Sequence, residues 1–192
     1  MTKNRLEAFS DGVLAIVITI MVLELKVPHE TNTLEALKPL LPVFLSYILS
    51  FIYVGIYWNN HHHLIHIIKH VNGSVLWCNL HLLFWLSLFP FVTSWMGESY
   101  TSIYPVVLYG LILLMAALAY YFLVQALLKA EGENSILAKS VGKDFKGKIS
   151  ILFYVVGIAL TFVSTWLGIA CYVLVAGVWF IPDKRIEKTV EK

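Results

Sequence analysis

The chain has 192 residues, 59% of them hydrophobic and 14% charged, with a net charge of +2. A mean hydropathy of +0.77 excludes an ordinary soluble globular domain, and spans of about 20 apolar residues each leave almost no length for a separate catalytic domain. The basic residues flank apolar runs, where they meet lipid headgroups, so no nucleic-acid partner is implied.

Apolar runs fall at 7–27, 40–58, 75–95, 104–128, 149–165 and 168–181. They predict an all-α integral membrane protein of six spans forming one domain over residues 1–192. Arg5, Glu7 and Asp11 stand at the start of the first run and no small-residue cleavage pattern follows, so that helix is expected to stay in the mature protein. The stretch 149–181 is read as a hairpin turning near Trp166, Leu167 and Gly168, which fits its length better than one bent helix. Cys78 and Cys171 lie inside apolar stretches and read as buried small hydrophobes rather than a disulfide or metal site.

Six spans with an inner N-terminus place Lys3, Arg5, Lys69, Lys129, Lys139, Lys143, Lys146, Lys148, Lys184, Arg185, Lys188 and Lys192 on the inner side. Only Lys26 and Lys38 fall outside, which is the asymmetry expected of cytoplasmic N- and C-termini. The same topology puts Asn72-Gly73-Ser74 on the cytoplasmic side, where the glycosylation signal is not used.

Arg5, Ser10 and Asp11 lie in or at the mouth of the first span, where an ionisable group turns toward protein or water. Arg5 and Asp11 are too far apart around the helix to pair. Asp11 either bonds to another helix or subunit, or sits at the headgroup boundary near the positive end of the helix dipole. Past Asp11, at about 100° per residue, Gly12, Ile16, Thr19, Ile20, Leu23 and Val27 share one stripe on which Thr19 is the only polar side chain. Such a stripe is compatible with helix packing or with a pore lining, and periodicity does not decide between them.

Arg5-Leu-Glu-Ala-Phe9-Ser10-Asp11 resembles the R-x-x-x-F-S-D signature of the endosomal and lysosomal potassium channels and their prokaryotic relatives. Tyr57-Trp58-Asn59-Asn60-His61-His62 and Leu88-Phe89-Pro90-Phe91-Val92-Thr93 extend the resemblance in the same order, over essentially the whole chain. The resemblance implies a potassium-permeable channel in a cell membrane, with potassium as the permeating species and no cofactor. It implies that the first helix of each subunit lines the pore, with Ile16 at the constriction, Ile20 and Leu23 continuing it, and Thr19 at a hydroxyl position linked to potassium preference. Arg5, Phe9, Ser10 and Asp11 are then scaffold, with Trp58, Asn60, His61 and His62 as hydrogen-bond partners. A chain with one six-span unit resembles the prokaryotic form and implies a homotetramer. No T-V-G-Y-G carbonyl filter is present, so the expected gate is a ring of apolar side chains that dewets when narrow.

His61, His62, His63, His66 and His70 cluster after the second span, and His62, His66 and His70 share a face if the helix continues. Without the H-E-x-x-H glutamate or a nearby cysteine, a zinc enzyme has little support, and protonation of exposed histidines is an alternative input to gating. Glu24, about 80° from the Ile16 direction, suits either an acidic vestibule or an interface. The competing class is a secondary transporter or a His-dependent metal carrier. Against it, the first helix has no Gly/Pro interruption and no midplane carboxylate. An intramembrane enzyme ranks last, because no nucleophile, carboxylate or metal spacing stands out within the spans.

Overall fold

The computed structural model describes residues 2–28, 33–132, 135–141 and 145–180. Every regular element among them is helical: α1 (Lys3–Leu23), a 3-10 stretch (Leu34–Leu40), α2 (Leu41–His66), α3 (Gly73–Ser87), α4 (Phe89–Glu98), α5 (Ile103–Glu131), α6 (Ile136–Val141), α7 (Phe145–Thr161) and α8 (Thr165–Phe180). Among the described residues four stretches are long and apolar enough to cross a membrane: Lys3–Leu23, Leu34–His66, Gly73–Glu98 and Ile103–Glu131. The chain is thus a multi-pass helical membrane protein. At 1.5 Å per residue, α7 and α8 reach only about 24–26 Å, just under the hydrocarbon thickness.

Helix limits follow local chemistry. The Asn72 side chain caps α3 by accepting from the Val75 amide at 3.0 Å, which occupies the glycosylation-like asparagine structurally. Leu88 joins α3 to α4 in helical geometry, and Pro90 sits in the first turn of α4, where its missing N–H costs nothing. Gly132 closes α5 at φ 86, and its amide bonds to the Leu128 carbonyl.

Several sequence expectations are corrected. The helix that carries the second apolar run continues past residue 58 to His66, and the third run is carried by two helices, α3 and α4, that meet at Leu88. The α7/α8 turn falls at residues 162–164, just before the expected Trp166-Leu167-Gly168. The helix carrying the histidines ends at His66, so His70 is not on a common face with His62 and His66. Instead the Lys69 and His70 amides both donate to Glu131 Oε1 at 2.7 Å, fastening the α2–α3 connection to the end of α5. The 3-10 stretch and α6 have no sequence counterpart above. The residues Lys143, Lys184, Arg185, Lys188 and Lys192, and the end of the sixth apolar run at Ile181, lie outside the described residues.

In the packed bundle α7 lies on α8 and α5, α3 on α5, and α2 on α4, while α1 rests against α2, α3 and α4. Tyr53, Phe89, Tyr109 and Tyr172 are fully buried among aliphatic side chains. The Tyr53 hydroxyl donates to the Tyr172 carbonyl, and Thr93 Oγ1 donates to Ser50 Oγ at 2.6 Å, 3.0 Å from the Tyr109 hydroxyl. These hydroxyl groups, sealed from water, thus find partners inside the bundle. Gly97 lets α4 approach α2 closely: a Cβ there would lie 2.7 Å from Val43 Cα.

Candidate pore helix and its scaffold

α1 has two unlike faces. Leu6, Ser10, Leu14, Val17 and Met21 are buried against the rest of the subunit. On the opposite side Phe9, Ile16, Ile20 and Leu23 are 49%, 58%, 42% and 78% exposed. Gly12 and Thr19 lie on that open side too, so the stripe Gly12, Ile16, Thr19, Ile20, Leu23, Val27 is entirely exposed. Thr19 Oγ1 donates to the Ile16 carbonyl at 2.9 Å, which uses its proton and leaves its oxygen lone pairs on the open face.

The signature residues divide between the two faces. Ser10 is fully buried, and its hydroxyl donates to the Leu6 carbonyl at 2.9 Å. Asn79 on α3 donates to Ser10 Oγ at 2.9 Å, and its carbonyl oxygen lies 2.7 Å from His61 Nε2. Because Asn79 spends its amide protons on Ser10, its oxygen accepts from His61 and fixes that imidazole proton on Nε2. His61 Nδ1 is then left as an acceptor, and it has no partner. Asp11, half-buried, accepts from Trp58 Nε1 at 3.0 Å. Asp11 therefore bonds to another helix of the same subunit. Arg5 and Phe9 are exposed and lie on the side of the open stripe.

Trp58 and His61 thus meet the signature, directly or through Asn79. His62 meets the same helix one turn lower, with Nδ1 2.8 Å from Glu7 Oε1. Asn60 does not: its amide donates to the Ile56 carbonyl at 2.8 Å within α2. The reason is angular, since Asn60 points about 200° away from Trp58 around the helix while His61 and His62 stay on the α1 side. Asn79 and Glu7 were missed. Glu7 lies among the signature's unspecified positions, and a lone asparagine in an apolar run signals only that it needs a buried partner.

At the other end of α1, Ser94 Oγ donates to Glu24 Oε2 at 3.3 Å, so half-buried Glu24 binds α4 rather than facing the open stripe. Among the described residues, no group of three or more His, Cys, Asp or Glu converges in a way that could hold a metal ion.

The first helix of this membrane bundle is thus fastened on one face by buried polar bonds and is apolar and open on the other. The family model described as endosomal/lysosomal potassium channel TMEM175 matches residues 5–90. A protein named potassium channel from Chryseobacterium sp. (strain P1-3) is 59% identical over 192 residues, covering 100% of both chains. Another of that name from Chamaesiphon minutus is 28% identical over 185 residues, covering 89% of this chain and 90% of its own. The crystal structure of a lysosomal potassium-selective channel TMEM175 homologue from Chamaesiphon minutus superposes with a TM-score of 0.82 at 27% identity, covering 93% of this chain and 96% of that one. The chain belongs to the endosomal/lysosomal potassium channel TMEM175 family.

Proposed function

We propose that this chain is one subunit of a potassium-permeable channel in a prokaryotic cell membrane, with α1 lining the pore. The observation that carries the reading is the open stripe of α1, on which Ile16, Ile20 and Leu23 stand exposed beside Thr19 while the opposite face is locked into the subunit. One helix cannot enclose a pore, so the stripe needs equivalent stripes from other copies. A homotetramer brings four together, each subunit contributing a single six-span unit, with α7 and α8 as the last two spans. The charge asymmetry supports cytoplasmic N- and C-termini.

In this reading Ile16 forms the narrowest ring, with Ile20 and Leu23 extending it. A ring of apolar side chains opposes a hydrated ion by excluding water, and conduction begins when it widens enough to wet. Thr19 oxygens, whose protons are held by the Ile16 carbonyls, face the permeating cation as acceptors and replace part of its hydration shell. The larger, more weakly hydrated potassium ion gives up water more readily than sodium, and this favours its passage. Ser10 and Asp11 are scaffold, and Arg5 and Phe9 lie where a neighbouring copy covers them.

Purified protein in proteoliposomes under a potassium gradient, with sodium substitution, tests the reading. Passive potassium flux is expected, and Ile16→Asn is expected to raise it about ten-fold by hydrating the ring. Uptake that occurs only when coupled to a proton or sodium gradient would replace the channel with a transporter.

A further inference from the structure

Below the signature's serine and aspartate, α1 and α2 are joined by a ladder that extends beyond the motif. Lys3, Glu7 and Asp11 recur every fourth residue on α1, and Trp58, His62 and His66 do so on α2. Residues three or four apart on a helix share one face, so two antiparallel helices can pair them rung by rung. They do. Trp58 Nε1 donates to Asp11 at 3.0 Å, His62 Nδ1 lies 2.8 Å from Glu7 Oε1, and Lys3 Nζ donates to the His66 carbonyl at 2.9 Å. The α2 rings also follow one another along the ladder: Trp58 and His62 stack with centroids 6.3 Å apart at 26°, and His62 and His66 lie tilted, 6.0 Å apart at 33°.

We propose that Glu7 is a positioning residue for the pore helix, holding the inner end of α1 against α2 through His62. The proposal rests on the reading of α1 as the pore lining. Glu7 is nine residues from Ile16, which puts it about 180° around the helix from the constriction, so it acts on permeation only through where it holds the helix. The middle rung alone joins two ionisable side chains, with Glu7 three-quarters buried and His62 half-exposed at 23% and 44%. Its neighbours on the ladder are a neutral indole on Asp11 and a lysine on a backbone carbonyl. Toward the outer end of α1 the described side-chain contacts are longer: Ser94 to Glu24 at 3.3 Å, Thr93 Oγ1 to Met21 Sδ at 4.0 Å and, just past the helix, exposed Lys26 to Glu98 at 3.6 Å. The inner end is therefore the better-fastened end, and loosening it lets α1 tilt and the ring at Ile16 widen.

The test compares Glu7→Gln, His62→Gln, both together, and the swap that combines Glu7→His with His62→Glu, in proteoliposomes, with flux normalised to folded protein. Each single variant is expected to raise passive potassium flux about three-fold or more, the double no further than either single, and the swap to return within about two-fold of wild type. A purely structural lesion would lower the folded fraction and would not be rescued by the swap. Hydrogen exchange of the α1 amides over residues 3–11 reads the clamp without reference to conduction, with protection expected to fall about ten-fold in Glu7→Gln. Unchanged flux in the single variants, or additive effects in the double, overturns the proposal. If wild type carries no passive flux, the channel reading fails and exchange alone decides: unchanged protection in Glu7→Gln overturns the positioning role, and lost protection upholds it.

Discussion

Ser10 and His61 show how a residue can be fixed by what it is denied. Neither reaches water, so each depends on Asn79, and one asparagine serves both by donating to one and accepting from the other. Asn79→Leu leaves a buried imidazole N–H and a hydroxyl oxygen unpaired, and is expected to cost about 1–3 kcal/mol, read as a lower unfolding midpoint in detergent. Thr19 is the opposite case, a polar side chain on an exposed apolar stripe. Thr19→Val keeps the shape and removes the lone pairs, so the potassium-to-sodium flux ratio is expected to fall toward one while flux itself persists. An unchanged ratio would remove Thr19 from selectivity.

α1 is anchored on one side and open on the other, and α4 shows what such anchoring requires of its neighbours. Gly97 admits α4 against the Val43 backbone, and there a methyl group has nowhere to go. Gly97→Ala is expected to separate the helices at a cost of about 1–3 kcal/mol, measured by thermal unfolding, whereas Gly55→Ala on α2, where a Cβ meets nothing within 4 Å, is expected to be neutral or stabilising. Much at this scale was legible in the sequence, because long apolar runs in lipid have few alternatives to helix. The stripe on α1 followed from the 100° period alone, and its exposure in the folded subunit agrees with the angle. How far α2 continues through its histidines is left conditional in the sequence, because the partners that let His61 and Asn60 sit on a helix, Asn79 and the Ile56 carbonyl, are fixed only by the fold. Asn60 bonds within α2 instead of to the signature, because two residues past Trp58 it points about 200° away around the helix once the helix continues that far. The pairing of Glu7 with His62 is not legible, because Glu7 stands at a position the signature leaves unspecified.

For the whole molecule, the central claim is that the open face of α1 lines the path of potassium. A membrane bundle can expose apolar side chains to lipid at no cost, so exposure of Ile16 alone does not separate a pore from a lipid-facing surface. What separates them is contact with permeating water. The measurement that decides is potassium flux through Ile16→Cys in a background with Cys78→Ser and Cys171→Ala, before and after a charged, membrane-impermeant thiol reagent, with Leu14→Cys on the buried face as the control. The account predicts that Ile16→Cys is modified from the aqueous side and its flux blocked, while Leu14→Cys is unaffected. Flux through Ile16→Cys that continues unchanged after complete modification, or a cysteine there that reacts only with lipid-soluble reagents, would place α1 outside the conduction path.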